Sequence, residues 1–536
     1  MSGQITTMHP DSAAARQEAA LRRTFAVISH PDAGKSTLTE ALSLHAHAIN
    51  EAGAVHGKAG RGATVSDWMD MEKARGISIS SSALQFRYRT AVFNLVDTPG
   101  HADFSEDTYR VLSAVDSAVM LIDAAKGMEP QTMKLFAVCK QRGVPIITVI
   151  NKWDRPGLDA LALLDEIHGR TGLVPTPLTW PVGVAGDFRG VLDRRTGEFV
   201  RFTRTAGGAT IAPQQHVTAE QALRDEGDAW TTAVDEHHLL DLEDRHHDHD
   251  AFLAGRTTPV LFAAAVLNFG VGQLLDVLHD LAPPATARPD VSGDPRPVEA
   301  PFSAQVFKVQ AGMDRAHRDR LAFARVCSGV FHRGDVITHE ATGRGFATKY
   351  AHSVFGRQRE VLDVAFPGDV IGLVNAGTLR AGDTLYADVR VRFPPLPLFA
   401  PEHFAVVRAK DPSRYKQFRK GVEQLDHEGV VQVLRSDIRG DQSPVLAAVG
   451  PMQFEVATHR LLDEFSTAVT LDYLDYTMAR RTRAEDLDAL AARRDVEVMR
   501  RGDGAYLALF KGRWHLQRVL QEAKGVLLEP LVAEAE

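Results

Sequence analysis

The first half of the chain alternates short apolar runs with stretches whose apolar residues recur at helical spacing. Apolar runs of about four to eight residues, bounded by polar ones, predict buried strands. Helical stretches between such strands are typical of a parallel sheet covered by helices on both faces. The strand-like runs are TFAVIS, AVFNLVD, SAVMLID and VPIITVIN, and the helical ones include SEDTYRVLSAV and PQTMKLFAVCKQRG. The pattern predicts an α/β domain over residues 23–281, preceded by a tail or short helix over 1–22.

The strand–helix alternation is interrupted between residues 186 and 250. GDFRGVLDRRTGEFVRF predicts a small hairpin that turns at Thr196 and Gly197, and an acidic helical stretch follows it. That stretch ends in EDRHHDHD, whose histidines and acids invite a metal interpretation. Because zinc sites need fixed ligand spacing on a scaffold, we interpret this continuous acidic run as a solvated helix end. We expect an insertion within the first domain here.

Two proline-rich joints divide the rest of the chain, so the predicted fold class is multidomain α/β. LAPPATARPDVSGDPRPVEAP reads as a linker (282–300), and the short strands with glycine-rich turns behind it predict a β-barrel domain (301–393). After FPPLPLFAPE, the order strand–helix–strand–strand–helix–strand predicts a ferredoxin-like α+β domain (394–536). Within it, MARRTRAEDLDALAARRDVEVMRR mixes both signs of charge, and we interpret it as a solvated helix.

Composition and charge exclude some classes of protein. The 536 residues are 44% hydrophobic and 24% charged, which is ordinary for a globular chain. The net charge of −8 argues against indiscriminate nucleic-acid binding, and no DNA partner is expected. No apolar run is long enough for a membrane span or a secretory signal, so no membrane partner is expected. The two cysteines lack metal-type spacing and suit a reduced cytoplasm.

The turn between the first predicted strand and helix carries SHPDAGKST. It matches the phosphate-binding loop, with Ser29 in the first glycine position and Gly34, Lys35 and Ser36 completing the motif. Small residues let backbone N–H groups face phosphate oxygens, and the helix start adds its positive dipole end. Lys35 would reach the β- and γ-phosphates, and the Ser36 hydroxyl would bind Mg²⁺. The alternative is an ordinary strand-to-helix turn. The candidate nucleotide-binding residues are Ser29, His30, Pro31, Asp32, Ala33, Gly34, Lys35, Ser36 and Thr37.

DTPGH follows the predicted strand FNLV and indicates a second phosphate-site element (Asp97, Thr98, Pro99, Gly100 and His101). An Asp at the tip of a strand beside the phosphate-loop strand holds Mg²⁺ through water, which makes Asp97 a candidate metal residue. Gly100 can offer its N–H to the γ-phosphate, and His101 stands where a water-orienting residue belongs. In EKARGISIS, the Ser78 hydroxyl would join the Mg²⁺ shell when the γ-phosphate is present.

NKWD, at the end of VPIITVI, indicates which base is held (Asn151, Lys152, Trp153 and Asp154). The Asp154 carboxylate can accept hydrogen bonds from N1–H and the exocyclic amine of guanine, neither of which adenine presents there. The Lys152 stem can lie along the base, and Asn151 can tie base and loop together. The alternative is a polar turn at a strand end, but the order of the three motifs in one sheet favours GTP.

These residues together resemble the translational GTPases. RGISI, DTPGHADFSEDTYR and NKWDRPG are more similar to the bacterial peptide-chain release factor 3 family than to its relative, elongation factor G. The resemblance continues through LTWPVG, FLAGRTTPVLF, FKVQAGMDRAHRDRLAFARVCSG, AFPGDVIGL and VGPMQFEV, and covers nearly the whole chain beyond the first twenty residues.

The resemblance implies that the chain binds GTP or GDP with Mg²⁺ and that the ribosome stimulates GTP hydrolysis, with His101, Lys35 and Gly100 as the catalytic residues. It implies a role in translation termination, in which stop-codon-reading release factors dissociate and are recycled after the peptide is freed. It further implies a cytoplasmic monomer whose partners are ribosomal RNA, ribosomal proteins and those release factors.

Two positions depart from the pattern of the resembled family. The fifth guanine-binding element, usually Ser/Thr-Ala-Leu/Lys, falls on Ala264, Ala265 and Val266. We expect the Ala265 backbone N–H to meet the guanine oxygen, while Ala264 lacks the hydroxyl that supports Asp154. Ala102 stands where many relatives have Glu, which changes the charge beside the catalytic histidine.

Three other functions stay open from the sequence. A GTPase subunit that drives another enzyme, as in the sulfate-activating GTPases, is disfavoured because those relatives end in a second β-barrel. Another ribosome-associated translational GTPase is the second, and a nucleotide-binding scaffold without turnover is the third. The basic run RAKDPSRYKQFRK, with six basic residues and one acid, either touches ribosomal RNA phosphates or forms an exposed helix face.

Overall fold

A computed structural model describes residues 11–47, 82–99, 105–205, 210–311, 320–355, 358–374, 378–396, 400–436, 439–440, 442–493, 495–523 and 525–531. Within these ranges the chain has the predicted fold class: a mostly parallel sheet with helices, an antiparallel all-β part and an α+β part. No helix in these ranges combines the length and apolar character that crossing a membrane requires.

The first part of the fold is built around a parallel sheet. Its elements are α1 (Ser12–Leu21), β1 (Arg22–Ser29), α2 (Lys35–His45), β2 (Ser82–Tyr88), β3 (Ala91–Asp97), α3 (Ser105–Leu112), β4 (Ser117–Asp123), α4 (Pro130–Gln141), β5 (Ile146–Asn151), α5 (Ala160–Thr171), β6 (Val174–Pro177), β7 (Thr179–Val182), β8 (Gly190–Asp193), β9 (Phe199–Phe202), β10 (Gln214–Val217), α6 (Ala219–Glu226), α7 (Asp228–Leu242), α8 (His249–Leu253), β11 (Thr257–Phe262) and α9 (Val271–Leu281). The described strands run in the order β2-β3-β1-β4-β5-β11-β6, and the β2–β3 pair is antiparallel.

Alternation along β1 divides the core of this part into two layers. Ala26 and Ile28 pack in one hydrophobic cluster together with residues of α3, α4 and α5. Phe25 and Val27 point to the other side and pack with residues of α2 and α9. Successive strand residues face opposite sides of a sheet, so a strand buried on both faces is apolar throughout. The predicted arrangement of helices on both faces is confirmed.

The predicted hairpin lies in a separate sheet of order β10-β9-β8-β7. Its strands pair Leu192 with Phe199, and Gly197 turns the chain with a φ of 75°. The helices α6 and α7 follow, as the acidic helical stretch predicts. The histidine-rich run forms the connection between α7 and α8, where most of its residues are exposed.

The second part of the fold is all-β. Its elements are β12 (Arg288–Pro289), β13 (Pro295–Arg296), β14 (Ser303–Ala311), β15 (Arg320–Ser328), β16 (Phe331–His332), β17 (Val336–His339), β18 (Arg344–Ala347), β19 (Ala351–Phe355), β20 (Gln358–Val361), β21 (Val364–Ala365), β22 (Val370–Val374) and β23 (Thr384–Tyr386). The main described sheet is antiparallel, with the order β18-β17-β23-β14-β15-β22-β19-β20. The small β12–β13 hairpin lies inside the stretch predicted as a linker.

The third part of the fold contains the predicted order of strands and helices. Its elements are β24 (His403–Ala409), α10 (Tyr415–Glu428), β25 (Gln432–Arg435), β26 (Val445–Ala448), α11 (Pro451–Phe465), β27 (Val469–Leu474), β28 (Met478–Thr482), α12 (Leu487–Ala491), β29 (Val496–Arg501), β30 (Tyr506–Phe510), α13 (Arg513–Glu522) and β31 (Glu529–Pro530). The first four strands pair in the order β27-β24-β26-β25, and α10 and α11 bury their apolar residues together.

The prediction of a solvated helix over residues 478–501 is wrong. Most of that stretch forms β28, the short helix α12 and β29. Both strands pair with β30, whose residues Leu507 and Leu509 are fully buried. Because partner strands decide whether a charged segment forms a strand, local charge was a poor guide here. β25 pairs with β29, so the described strands of the third part form one continuous sheet.

A buried charge cluster joins the first and second parts. Arg325 on β15 is 2% exposed, donates to the Ala114 carbonyl at 2.6 Å and lies 2.7 Å from the Asp116 carboxylate. Arg288 donates to the Ser113 carbonyl and lies 3.5 Å from the same carboxylate. Burial, reinforced by the charge of Arg325, lowers the pKa of Arg288 to about 10. The single Asp116 carboxylate therefore offsets the positive charges of the neighbouring Arg325 and Arg288 guanidinium groups.

We expect Asp116→Asn to lower the free energy of unfolding by about 2 kcal/mol, because the buried Arg325 and the half-buried Arg288 lose their counter-charge while one acceptor oxygen remains. Equilibrium urea denaturation measures the change. Asp165→Asn, at an exposed carboxylate on α5, is the matched control and should be neutral. Equal stability of the two variants would show that Asp116 does not hold this interface.

Candidate nucleotide site

The predicted motifs converge at one edge of the parallel sheet. β1 pairs with β3 so that Val27 lies beside Asp97, and β4 pairs with β5 so that Asp123 lies beside Asn151. All these strands run in the same direction, so their carboxyl ends meet at the same edge. In open α/β sheets this edge is where ligands bind.

The loop between β1 and α2 has the backbone of a phosphate cradle. Asp32 and Gly34 have φ angles of 66° and 98°, so the chain curls through left-handed conformations before α2 begins at Lys35. A Cβ on Gly34 would lie 2.5 Å from the Asn151 amide nitrogen, which leaves no room for a side chain. The Ser29 hydroxyl at the loop entrance is buried and has no hydrogen-bond partner among the described residues.

Lys35 and Asp97 lie together in this site. The Lys35 ammonium is 3.0 Å from the Asp97 carboxylate, and both side chains are almost fully buried. The Thr98 hydroxyl donates to the Val27 carbonyl at 2.7 Å, which fixes the end of β3 against β1. The half-buried Ser36 follows Lys35 in the first turn of α2. A cation, a carboxylate and a hydroxyl at a helix start are the groups that hold a phosphate with Mg²⁺.

Asn151 bridges two loops of the site. Its amide nitrogen donates to the Ala33 carbonyl at 2.8 Å, and its amide oxygen accepts from the Ala265 N–H at 3.0 Å. The phosphate loop and the loop after β11 are therefore held at a fixed separation. This differs from the expectation for Ala265, because its N–H points at Asn151 rather than standing free for a base. The neighbouring Ala264 is fully buried.

Asp154 has an unused acceptor. Its side chain is 13% exposed, and its Oδ1 atom is buried without a hydrogen-bond partner among the described residues. The nearest described cation, Arg155, is 4.0 Å from the other carboxylate oxygen. A buried carboxylate oxygen without a donor is costly, and a ligand that presents N–H groups removes that cost.

Lys152 is held by a residue that the sequence reasoning did not assign to the site. Its ammonium donates to Asp123 at 2.8 Å, and its own φ is 64°. Burial opposes the charged form of Asp123, but Lys152 and the Ala125 amide outweigh it and hold the pKa of Asp123 below its ordinary value. Asp123 ends β4, between the strands that carry the other motifs, and this placement was the signal that could have identified it.

Trp153 anchors the loop that carries Asp154. Its ring is 2% exposed and packs edge-on against Phe262 at 4.8 Å between ring centroids. Its indole N–H donates to the Gly183 carbonyl at 3.3 Å, and its backbone N–H donates to the Ala263 carbonyl at 3.2 Å. Trp153 is therefore a support for the loop rather than a free surface for a base.

Four residues that the sequence singled out lie outside the described residues: Ser78, Gly100, His101 and Ala102. The described chain reaches Pro99 on one side of DTPGH and resumes at Ser105, where α3 begins. The Thr108 hydroxyl on α3 donates to the Pro99 carbonyl at 3.3 Å. The two described flanks of the motif are thus tied to each other.

The remaining loop residues line the cradle without further described roles. His30 lies 3.1 Å from Glu129, its Nδ1 atom has no partner among the described residues, and Pro31 and Thr37 are half-buried. Taken together, the described residues fit a purine nucleotide with a polyphosphate and a divalent cation. The orphaned Asp154 oxygen suits a base with two donors, the Gly34 cradle suits phosphates, and Ser36 with Asp97 is an oxygen donor set of the kind that Mg²⁺ takes.

Comparisons with known proteins show which families the three parts of the chain are similar to. Three family models match the chain: "Elongation factor Tu GTP binding domain" over residues 21–284, "Elongation factor G domain 2" over 301–388, and "Class II release factor RF3, C-terminal domain" over 393–520. A solved crystal structure of a Thermus thermophilus protein is 22% identical with a TM-score of 0.68, and the match covers 92% of this chain and 73% of that one. This likeness supports the fold.

Curated relatives match over nearly their full length. A protein of Gloeobacter violaceus named "Peptide chain release factor 3" is 46% identical over 94% of this chain and 96% of its own. Proteins of the same name are 46% identical in Synechocystis, over 93% of this chain and 92% of their own, and 44% identical in Symbiobacterium thermophilum, over 94% and 97%.

Proposed function

This chain belongs to the peptide chain release factor 3 family, and on that premise we propose that it is a GTPase stimulated by the ribosome. Its proposed role is to release stop-codon-reading release factors from the ribosome after the peptide is freed. The observation that carries the nucleotide assignment is the buried Oδ1 atom of Asp154, which has no hydrogen-bond partner in the part of the chain that the structure describes. We further propose that the protein acts in the cytoplasm as a monomer.

In this proposal the site residues divide into a base end and a phosphate end. Asp154 accepts the two donors of guanine, and Asn151 and Lys152 hold the loops around the base. The curled backbone from Ser29 to Thr37 surrounds the phosphates, with Lys35 as the point charge at the β- and γ-phosphates. Ser36, Ser78 and Asp97 are the residues that would hold Mg²⁺, which would supply positive charge to offset the charge that develops on the phosphates.

Catalysis here is proposed to be positioning and charge stabilisation. Phosphoryl transfer to water needs a nucleophile in line with the leaving group and little covalent chemistry from the protein. His101 orients the water, Gly100 donates its N–H to the γ-phosphate, and Lys35 stabilises the developing charge. Ribosome docking seats His101 on the attacking water in this proposal, so hydrolysis is slow until then.

The helix α3 supports coupling between this site and the later domains. It begins four residues after His101, and its Asp107 lies 3.5 Å from Lys308 on β14. Arg110 on α3 pairs with Glu106 at 2.5 Å and donates to the Glu428 carbonyl at the end of α10, 3.4 Å away. A change at DTPGH that moves α3 would therefore act on both later parts through this one helix. We propose that GTP and GDP favour different arrangements of these parts.

Ribosome-stimulated hydrolysis is the test of this function. We expect vacant or post-termination ribosomes to raise the GTP hydrolysis rate on the order of 10³-fold, because an activating partner completes the site. The purified protein is assayed for phosphate release with and without ribosomes, and dissociation of a labelled release factor is followed on the same complexes. ATP is the control nucleotide and should not be hydrolysed faster. Absence of stimulation would refute the proposal and direct the search to another activating partner.

A further inference from the structure

The third part of the fold carries an exposed group of cations at the start of α10. Lys410, Arg414, Lys416, Arg419 and Lys420 are all exposed and lie within eleven residues of chain. We call these five residues the α10 cationic face. The sequence left open whether they touch ribosomal RNA or only form a solvated helix face.

Packing of α10 orients this face outward. Phe418, Val422 and Leu425 are buried in the cluster that α10 shares with α11 and the sheet. Lys416, Arg419 and Lys420 are spaced three and four residues apart, so they share the opposite side of the helix. Their long side chains therefore project away from the domain.

The charges of this face are hardly neutralised by the protein itself. Lys410, Arg414, Lys416 and Lys420 make no ion pair with any described residue, and Arg419 lies 3.7 Å from Glu423. The nearby Asp411 uses its carboxylate to accept from the Ser413 N–H at 2.9 Å, which closes the turn before α10. Asp411 is the one acid between Lys410 and Lys420, so the five cations outnumber the carboxylates within this stretch of chain.

The position of the cations on the helix is electrostatically unfavourable. The N-terminal turn of a helix carries a partial positive charge, which attracts acids and repels cations. The first turn of α10 contains no acid, and Arg414 is its N-cap residue. The chain has a net charge of −8, yet cations rather than acids lie at this helix start. This arrangement favours the binding of an anionic ligand over the stability of the isolated helix.

We propose that the α10 cationic face binds the phosphate backbone of ribosomal RNA, an inference that rests on the proposed function. Regularly spaced phosphates match several long flexible cations and need no apolar anchor. The exposed Ser413 and Gln417 between the cations are polar, whereas protein interfaces are centred on buried aromatic or aliphatic anchors. Because the whole chain is acidic, such a local face is needed to approach RNA at all.

Direct ribosome binding with a charge-reversed variant tests this inference. Lys416→Glu/Lys420→Glu is compared with Lys134→Glu/Lys140→Glu, which changes the charge equally at two exposed lysines of α4. Equilibrium binding to 70S ribosomes is measured with a non-hydrolysable GTP analogue over a range of salt concentrations. We expect the α10 variant to bind ribosomes about tenfold more weakly. The slope of log binding constant against log salt concentration should fall in magnitude by about 1.5. The control variant should bind ribosomes normally, and the affinity for GTP without ribosomes should stay unchanged.

The outcomes separate this inference from the proposed function. If the unaltered protein binds ribosomes and both variants bind equally well, the α10 inference is overturned and the function stands. If the unaltered protein does not bind ribosomes, both are overturned. A photo-crosslinker on Gln417→Cys identifies the partner, because Cys139 and Cys327 are buried and should not react. Crosslinks to ribosomal RNA are expected, and crosslinks to ribosomal proteins alone would overturn the assignment to RNA.

Discussion

Asp154→Asn is expected to lower the affinity for GTP about 10³-fold, roughly 4 kcal/mol. The Asp154 oxygen that is buried without a described partner is the acceptor that guanine would satisfy. The substitution replaces one acceptor by an amide N–H₂ group, which then faces a donor of the base. One charge-assisted hydrogen bond is replaced by a donor–donor contact, and the other weakens because the remaining amide oxygen carries no full charge.

The Asp154→Asn variant should bind xanthosine triphosphate more tightly than the unaltered protein does. This triphosphate carries a carbonyl where guanine has its exocyclic amine, so it accepts from the new amide of Asp154→Asn. Competition of both triphosphates against a fluorescent GDP analogue measures the switch. Asp165→Asn, at the exposed carboxylate of α5, should bind GTP normally. Weaker GTP binding without a gain for xanthosine triphosphate would point to collapse of the loop instead of a contact with the base.

The position of this site at one edge of the sheet could be predicted from the sequence. The pattern of apolar strands and the motifs at the strand ends pointed to the same edge. Each of Ser29, Asp97 and Asn151 ends an apolar run, and the structure makes all three runs into neighbouring or near-neighbouring parallel strands. Strand direction then brings the three ends together without further information. The parallel sheet of the first part was predictable for this reason.

The contacts between loops were not predictable in the same way. Ala265 could be placed near the base, but its commitment to the Asn151 oxygen depends on how the loop after β11 sits against β5. Asp123 was visible at the end of SAVMLID, yet no spacing in the sequence couples it to Lys152. Such pairs are fixed by tertiary packing, which motif matching does not contain.

The prediction of a helix over residues 478–501 was wrong for a different reason. Its charges alternate in sign as on a solvated helix, but β30 offers a buried apolar partner strand on which β28 and β29 can pair. Arg480 on β28 is 7% exposed, so even a charged residue of this segment enters the sheet. Whether a segment forms a strand depends on partner strands that are distant in the sequence. The local charge pattern contains no information about those partners.

His101→Ala is expected to leave GTP affinity within about twofold while ribosome-stimulated turnover falls by a factor of about 10² to 10⁴. A side chain that orients water acts on the transition state and contributes little to binding of the ground state. Single-turnover hydrolysis with ribosomes in excess isolates the chemical step from docking. His459→Ala removes an exposed histidine of α11 and should turn over normally.

The split between binding and turnover is what identifies the role of His101. A histidine that only shaped the nucleotide site would weaken GTP binding together with turnover. A histidine that contacted the ribosome would shift the half-saturating ribosome concentration and leave the saturated rate unchanged. A residue acting on the attacking water lowers the saturated rate at constant affinity for both GTP and ribosome. Unchanged turnover at saturation would move the catalytic role elsewhere, with the γ-phosphate contacts of Lys35 and Gly100 as the remaining source of rate enhancement.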